Sequence, residues 1–362
     1  MLKIWHEKQF KKKASVKDPL KRSEYIAELV LEEEKSKSGG YDVVCMQEVF
    51  FGPSKKKMEE MLHPIFPHVL YSFGRHKLFV GVDSGLFVAS KFPINSSSFV
   101  RFPELIGSDY FSWKGVHAVV LDISSIFSPI SNPTLKPVSL VVGNTHLQSN
   151  PDGTPPWKLF HGDEKQLKVR SRQLRHSQEK LIFETLEKCA MEEQKKGFKV
   201  SVLMCGDFNT AAELPKSLVE TEEKEGTFAN SKEDNGEPLL PSVEYTQLLK
   251  ELGSPSDIFR DLFPDTKEHP GNTGGAHKGN NESRRRIDFI FNYTQKIGKV
   301  EGLECLRPLE MRNWILRKEG MPELDVTDHE AICAVFSVEG KDKEEIFPLK
   351  SENKDKEETE AN

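Results

Sequence analysis

Seven short apolar runs of four to eight residues place the strongest constraint on how this chain can fold. They are Val43–Met46, Leu86–Ala89, Ala118–Ile123, Val138–Val142, Val200–Met204, Ile287–Phe291 and Ala331–Val338. Runs of this length, rich in Val and Ile, favour buried strands over helices. Helical spacing of apolar residues appears between them, at Tyr25–Val30 and Leu174–Ala190, with a shorter candidate at Thr246–Leu252. This alternation predicts a layered α/β fold.

Composition narrows the class of protein further. Charged residues make up 30% of the 362 residues, and no apolar run approaches the ~18 residues of a membrane span. Five cysteines are too few for a disulfide scaffold, and a net charge of −6 argues against tight non-specific binding of nucleic acid. With no apolar leader at the start of the chain, we expect a cytoplasmic location.

The domain organisation is predicted from where the alternation of apolar runs and helical spacing ends. We expect one large domain over residues 1–338 and a disordered charged tail over residues 339–362. Residues 214–241, rich in Glu, Lys, Gly and Pro, also lack a clear apolar period and are expected to be poorly ordered.

Five polar clusters lie within or beside the apolar runs. They are Gln47-Glu48, Asn144-Thr145-His146, Gly206-Asp207-Phe208-Asn209, Asp288 within its run, and Asp328-His329-Glu330. Taken singly, each is compatible with a turn, a cap or a hydrogen-bonded structural histidine. Together they are typical of α/β proteins, which build their sites at strand ends.

The residue types of these clusters indicate hydrolysis assisted by a metal ion. Four carboxylates would converge with two imidazoles and an amide: Glu48, Asp207, Asp288, Asp328, His146, His329 and Asn209. Oxygen-rich, thiol-free ligands favour Mg²⁺ over Zn²⁺, and no Cys-x-x-Cys or His-Glu-x-x-His spacing occurs. A hard cation beside a histidine base suits attack by water on a phosphate ester.

The ordered motifs resemble those of the endonuclease/exonuclease/phosphatase superfamily, whose members are Mg²⁺-dependent phosphoesterases similar to DNase I in fold. Within it, Gly85–Ile94, Asp109–Gly115 and Thr145–Gln148 with Arg172-Gln173-Leu174 resemble segments of neutral sphingomyelinases. The likeness runs from about residue 20 to residue 338. It implies a four-layer α/β sandwich, in which two packed mixed β-sheets are flanked by helices.

The resemblance also implies roles for the metal and the base. Glu48 would be the principal Mg²⁺ ligand, and Asp328 would lie near the metal. His329 would be the general base on water, oriented by Asp288.

Four further residues would act on the substrate by the same resemblance. Asp207 would orient the nucleophile or protonate the leaving oxygen. Asn209 and His146 would donate hydrogen bonds to phosphate oxygens, and Lys114 would sit beside the substrate phosphate.

One departure from the family concerns the first strand. The family carries there an Asn, two residues before an aromatic, that helps bind Mg²⁺ or phosphate. Lys3-Ile4-Trp5 occupies the corresponding place, with almost nothing before it. We expect the first strand to be missing, the alternative being replacement of the Asn by Lys3.

The resemblance leaves three functions open. The first is a phospholipase C-type phosphodiesterase that releases phosphocholine from sphingomyelin or a lysophospholipid, with peripheral contact to a membrane. The second is a nuclease related to abasic-site endonucleases or deadenylases, and the third a catalytically impaired phospholipid-binding relative. Aromatic residues near the predicted site, including Tyr110, Phe111 and Trp113, suit a lipid interface, base stacking or core packing.

Overall fold

The computed structural model describes residues 2–8, 18–35, 40–71, 73, 82–127, 137–150, 164–225, 238–265, 285–293, 296–298, 300–301, 306–314, 329 and 331–338. The predicted tail over 339–362 and the site candidate Asp328 lie outside these residues. Both remain predictions.

Sixteen strands are present in the described residues. In chain order they are β1 (Leu2–Lys8), β2 (Val43–Gln47), β3 (His68–Tyr71), β4 (Phe87–Ser90), β5 (Ile94–Arg101), β6 (Gly115–Asp122), β7 (Val138–His146), β8 (Lys199–Asp207), β9 (Glu213–Pro215), β10 (Leu239–Pro241), β11 (Ser256–Asp257), β12 (Asp288–Asn292), β13 (Lys296–Ile297), β14 (Val300–Glu301), β15 (Leu306–Trp314) and β16 (Ala331–Val338). Each of the seven predicted runs forms a strand.

Six α-helices lie among the same residues: α1 (Pro19–Lys35), α2 (Gly52–Leu62), α3 (Glu164–Lys195), α4 (Lys216–Glu225), α5 (Val243–Glu251) and α6 (Ile258–Leu262). Two 3-10 helices cover Gly107–Phe111 and Ser124–Phe127. The three predicted helices correspond to α1, α3 and α5. Of the described helices, none is long and apolar enough to cross a bilayer.

Two six-stranded mixed sheets form the centre of the molecule. Their strand orders are β15-β16-β1-β2-β4-β3 and β11-β12-β8-β7-β6-β5. Val44 and Met46 on β2 pack in a cluster with α1 and α2, whereas Val43 and Cys45 face the second sheet. On the other side, α3 and α5 cover the outer face of the second sheet. The α/β/β/α layering confirms the predicted four-layer sandwich.

The expectation that the first strand is missing is wrong. Leu2–Lys8 forms β1, which pairs in parallel with β2 and antiparallel with β16 at the centre of the first sheet. Lys3 lies at the far end of this strand, since Ile4 is opposite Val43 whereas Lys8 is opposite Gln47. Five residues at about 3.3 Å each separate Lys3 from Lys8 by ~16 Å. The place beside Glu48 therefore belongs to Lys8, not to Lys3.

The expectation of poor order over residues 214–241 is also wrong for its described part. Strand β9, helix α4 and strand β10 occupy residues 213–225 and 239–241. Leu214 on β9 and Leu218 and Val219 on α4 form a small buried cluster with Ala211. Four apolar side chains hold the segment, too few to stand out against its charged residues.

Candidate active site

The candidate site lies at one end of the rows of apolar side chains that fill the space between the two sheets. Leu203 and Cys205 on β8 and Ile290 on β12 point into this space. Because side chains alternate along a strand, the next members of these two rows are Asp207 and Asp288. Both are buried. The inter-sheet core therefore ends in a layer of polar side chains.

Strand register aligns three predicted site residues across neighbouring strands. Asp207 lies opposite His146 of β7 on one side and opposite Asp288 of β12 on the other. The preceding pair, Gly206 and Thr145, is packed so closely that a Cβ on Gly206 would lie 2.4 Å from the Thr145 carbonyl oxygen. Glycine at 206 allows the strands to approach at this point.

His329 completes a three-residue cluster from the first sheet, where it lies two residues before β16. Its Nδ1 is 2.7 Å from Asp288 Oδ2. Atoms of Asp207, Asp288 and His329 that could ligate a metal all lie within 4.8 Å of one another, and all three residues are buried. Because an ionised carboxylate only accepts hydrogen bonds, Nδ1 carries the donated hydrogen and Nε2 keeps a lone pair.

Glu48 approaches the cluster from the end of β2. Its Oε1 is 3.6 Å from His146 Nε2, which is 3.5 Å from Asp207 Oδ2. The Glu48 backbone has φ +59°, a left-handed conformation that is costly for a residue with a Cβ. The next residue, Val49, donates its N–H to the Gly85 carbonyl and so fixes this turn. A strained backbone held in this way is common at functional sites.

Lys114 is a buried cation behind His146. Its Nζ lies 2.8 Å from Asp109 Oδ2, 2.9 Å from His146 Nε2 and 2.8 Å from the Leu147 carbonyl oxygen. An ammonium group only donates, so His146 Nε2 is the acceptor in this contact. The predicted contact of Lys114 with the substrate phosphate requires one of these three acceptors to be exchanged.

Asn209 is held beside the same carbonyl. Its side-chain Nδ2 donates to Leu147 O at 3.0 Å, and its backbone N–H donates to Asp207 Oδ1 at 2.8 Å. Its φ of +52° is a conformation that Asn tolerates better than most residues. Leu147 O therefore joins Lys114 and Asn209 to the strand end that carries His146.

Asn144 ties the two sheets together below the site. Gln47 Nε2 donates to Asn144 Oδ1 at 2.6 Å, and Asn144 Nδ2 lies 3.2 Å from both the Met46 and Phe87 carbonyl oxygens. These bonds join β7 of the second sheet to β2 and β4 of the first. They fix the distance between Glu48, which follows β2, and His146, which ends β7.

Arg286 anchors the chain that leads into Asp288. Its guanidinium contacts Asp257 at 2.6 Å and Glu213 at 2.7 Å, and Arg260 also binds Glu213. Burial alone would raise the pKa of Glu213, but the two arginines lower it below its usual range. The ion-pair network stays charged and fixes the start of β12.

The structure thus brings together seven of the eight predicted site residues: Glu48, Lys114, His146, Asp207, Asn209, Asp288 and His329. Sequence reasoning assigned no role to Asp109, which holds Lys114. The signal for it was the short spacing of an acid and a lysine within one loop, since a buried ammonium group needs a countercharge.

The matching family model identifies the family. The Endonuclease/Exonuclease/phosphatase family model matches residues 5–329. The chain belongs to this family.

Curated relatives match shorter parts of the chain. An uncharacterised protein of Dictyostelium discoideum is 32% identical over 220 residues, which are 59% of this chain and 18% of that protein. Sphingomyelin phosphodiesterase 5 of Danio rerio is 38% identical over 90 residues, 23% of this chain and 16% of that protein. The matches therefore span less than a fifth of these relatives.

Solved structures match nearly the whole chain at low identity. Sphingomyelinase C from Streptomyces griseocarneus has a TM-score of 0.53 at 18% identity, covering 93% of this chain and 99% of that chain. A beta toxin variant from Staphylococcus aureus with bound magnesium ions has 0.51 at 18%, with the same coverage. D. rerio TDP2 complexed with single-strand DNA product has 0.51 at 13%, again with that coverage. These likenesses confirm the DNase I-like fold.

Proposed function

We propose that this protein is a Mg²⁺-dependent phosphodiesterase of the phospholipase C type, which hydrolyses sphingomyelin or a related choline phospholipid and releases phosphocholine. The observation that carries the proposal is the His329–Asp288 pair, placed with Asp207 in one buried cluster. Family membership supports hydrolysis of a phosphoric ester. The sphingomyelin phosphodiesterase and sphingomyelinase relatives support the choice of substrate.

The donor set at the site fits a hard divalent cation. Buried carboxylates of Asp207 and Asp288 lie opposite each other, and Glu48 adds a third acid on the far side of His146. Carboxylates brought this close repel each other unless a cation lies among them. Glu48, Asp207 and Asp328 would hold Mg²⁺, which when bound polarises a phosphoryl oxygen and stabilises the leaving oxygen.

His329 is proposed as the general base. With Nδ1 hydrogen-bonded to Asp288, its Nε2 can take a proton from the attacking water. The carboxylate then stabilises the imidazolium that forms. Asp288 also keeps the ring in one tautomer, so Nε2 is always the atom that accepts.

The remaining groups would bind the phosphate and the leaving oxygen. His146 presents Nε2 to Glu48 and Asp207, at 3.6 and 3.5 Å. This nitrogen would donate to a phosphate oxygen once the Lys114 ammonium group moves from it to the substrate. Asn209 uses one amide hydrogen on Leu147 O and has a second for the substrate. Of the two roles predicted for Asp207, binding of Mg²⁺ is compatible with orienting the nucleophile and not with donating a proton, because a metal-bound carboxylate is ionised.

Release of phosphocholine from sphingomyelin in detergent micelles tests the proposal. We expect release with Mg²⁺, loss with EDTA and recovery when Mg²⁺ is added back. His329→Ala should abolish most of the activity. His63→Ala, at an exposed histidine just beyond α2, is the matched control and should not. Release that persists in EDTA, or no release under any condition, contradicts the proposal.

The nuclease alternative is separated by a second substrate. Cleavage of a labelled oligonucleotide at low salt, with sphingomyelin left intact, would show that the substrate is a nucleic acid and not a lipid. Binding of Mg²⁺ without turnover of either substrate would indicate the catalytically impaired relative.

A further inference from the structure

A group of exposed apolar side chains, called here the apolar rim, lies on segments that adjoin the candidate site. Among the described residues, six large hydrophobic side chains are exposed, and four of them belong to this rim: Phe51, Val82, Tyr110 and Phe111. Tyr110 is 65% exposed and Phe111 is 46% exposed, and the two rings pack edge to face. Large exposed apolar side chains that cluster on one surface mark an interaction site.

Backbone contacts place the four residues together. The Val82 N–H donates to the Phe111 carbonyl oxygen, and the Trp113 N–H donates to the Asp83 carbonyl oxygen. Asp83 also pairs with Lys55, whose own N–H bonds to the Phe51 carbonyl oxygen. These bonds therefore connect the start of α2, residues 82–83 and the 3-10 helix Gly107–Phe111.

The same segments carry groups of the candidate site. Tyr110 directly follows Asp109, the carboxylate that holds Lys114 next to His146. Phe51 comes three residues after Glu48, a distance of at most ~10 Å along the chain. Any partner that binds the rim would therefore also cover the candidate site. Such a partner would block catalysis unless it carries the phosphodiester substrate itself.

Charge decides between the two kinds of partner that carry phosphodiesters. Of the described cations on these segments, Lys55 and Lys114 are buried in ion pairs with Asp83 and Asp109. Lys56 pairs with Glu60 at the surface of α2, and Arg101 stacks on Trp113. The described part of the rim therefore carries separate, mostly paired cations and no basic cluster. Glu48 adds a further acid, and the whole chain carries a net charge of −6. A nucleic acid needs clustered cations along its backbone, whereas a zwitterionic lipid surface does not.

We propose that Phe51, Val82, Tyr110 and Phe111 dock on the surface of a zwitterionic phospholipid bilayer and bring the site to the level of the lipid head groups. Phenylalanine and valine enter the acyl boundary, and tyrosine keeps its hydroxyl among the head groups. The stacking of Arg101 on Trp113 at 4.3 Å places a guanidinium beside the same surface, where it can meet lipid phosphate. The inference rests on the proposed lipid substrate.

Flotation with phosphatidylcholine vesicles in EDTA measures docking separately from catalysis. Tyr110→Ala/Phe111→Ala should weaken vesicle binding at least about tenfold, and Phe51→Ala, on another element, should weaken it too. Ile65→Ala is the matched control, because Ile65 is 36% exposed beyond the opposite end of α2, ~15 Å from Phe51. This variant should bind as the wild type does.

A second readout compares phosphocholine release from sphingomyelin vesicles with turnover of a soluble chromogenic phosphocholine ester. The ratio of the two rates should fall at least about tenfold in the double variant and stay constant in Ile65→Ala. No turnover of either substrate, with vesicle binding that still depends on the rim, would remove the proposed function and support the docking surface.

Three results would overturn the docking surface. The first is a wild-type protein that does not float with vesicles, and the second is rim variants that float and turn over vesicles as the wild type does. The third is a change in the rim variants of a different property: either their oligomeric state, measured by light scattering, or their binding of an oligonucleotide.

Discussion

Asp207 and Asp288 lie directly opposite each other on β8 and β12, buried at the end of the inter-sheet core. Two acids in this position destabilise the protein unless a positive charge lies near them. His329 bonds to one of them, and a metal ion would balance the other. We therefore expect fold stability and binding of the proposed Mg²⁺ to be coupled at this pair.

Asp207→Asn should separate these two effects. Without metal, we expect the variant to be more stable than the wild type by about 1 kcal/mol, because one buried charge is removed. Saturating Mg²⁺ should stabilise the wild type by about 2.7 kcal/mol at a hundredfold excess over Kd, and the variant much less. Thermal melts with Mg²⁺ and with EDTA measure both, with exposed Asp261→Asn as the control. Equal Mg²⁺ stabilisation of variant and wild type contradicts the assignment.

Asp288→Asn tests how His329 is oriented. An Asn side chain can donate to Nδ1, which would place the imidazole proton on Nε2 and remove the acceptor for water. We expect kcat to fall ~10²-fold or more, and His329→Ala to lower it by ~10²–10⁴-fold, with melting temperatures close to that of the wild type. If melting temperature and activity fell in parallel, the pair would be structural.

The buried ion pair of Lys114 with Asp109 should show strong coupling. Asp109→Asn leaves the ammonium group without its countercharge and should cost about 3 kcal/mol of unfolding free energy. Lys114→Met should cost less, because the Ser149 N–H and hydroxyl still donate to Asp109. A double-mutant cycle by urea denaturation should give a double variant less destabilised than the sum of the two. Additive costs would show that the pair does not interact.

His117 predicts a loss of stability in acid. It is fully buried between the sheets against Phe73, and burial lowers its pKa to about 3. The unfolded chain takes up this proton near pH 6.5 and the folded chain does not, so the stability present above pH 6.5 falls as the pH drops towards 3. The expected slope is about 1.4 kcal/mol per pH unit.

His117→Leu removes this titration. Urea denaturation of the variant and the wild type between pH 7 and pH 5 should give curves that diverge by about 2 kcal/mol. Parallel curves would show that His117 does not titrate in this way.

Much of the fold could be predicted from the sequence because its strands are buried on both faces. Runs such as Val138–Val142 and Val200–Met204 are apolar except for one serine each, and each forms the first part of a longer buried strand. Strand β5, with the sequence INSSSFVR, is largely exposed at a sheet edge and carries no such run. Helix α2 was not predicted, because its three consecutive lysines interrupt the apolar spacing. One of them, Lys55, turns inward and pairs with Asp83.

The candidate site could be predicted as a set of residues but not as a geometry. The order of the motifs identified Glu48, His146, Asp207 and His329, because each stands at or near a strand end. Strand register, which sets Asp207 between His146 and Asp288, depends on pairing partners that are distant in sequence. The same holds for Lys8, which pairing with Gln47 places at the site end of β1.

Anomalous diffraction from crystals soaked with Mn²⁺ in place of Mg²⁺ would locate the proposed cation site. We expect a single strong peak at the polar end of the inter-sheet core, about 2.0–2.3 Å from carboxylate oxygens of Glu48 or Asp207. The peak should disappear in Asp207→Asn. A peak bound elsewhere on the molecule, or none at saturating Mn²⁺, would contradict the proposal that these acids form one divalent-cation centre.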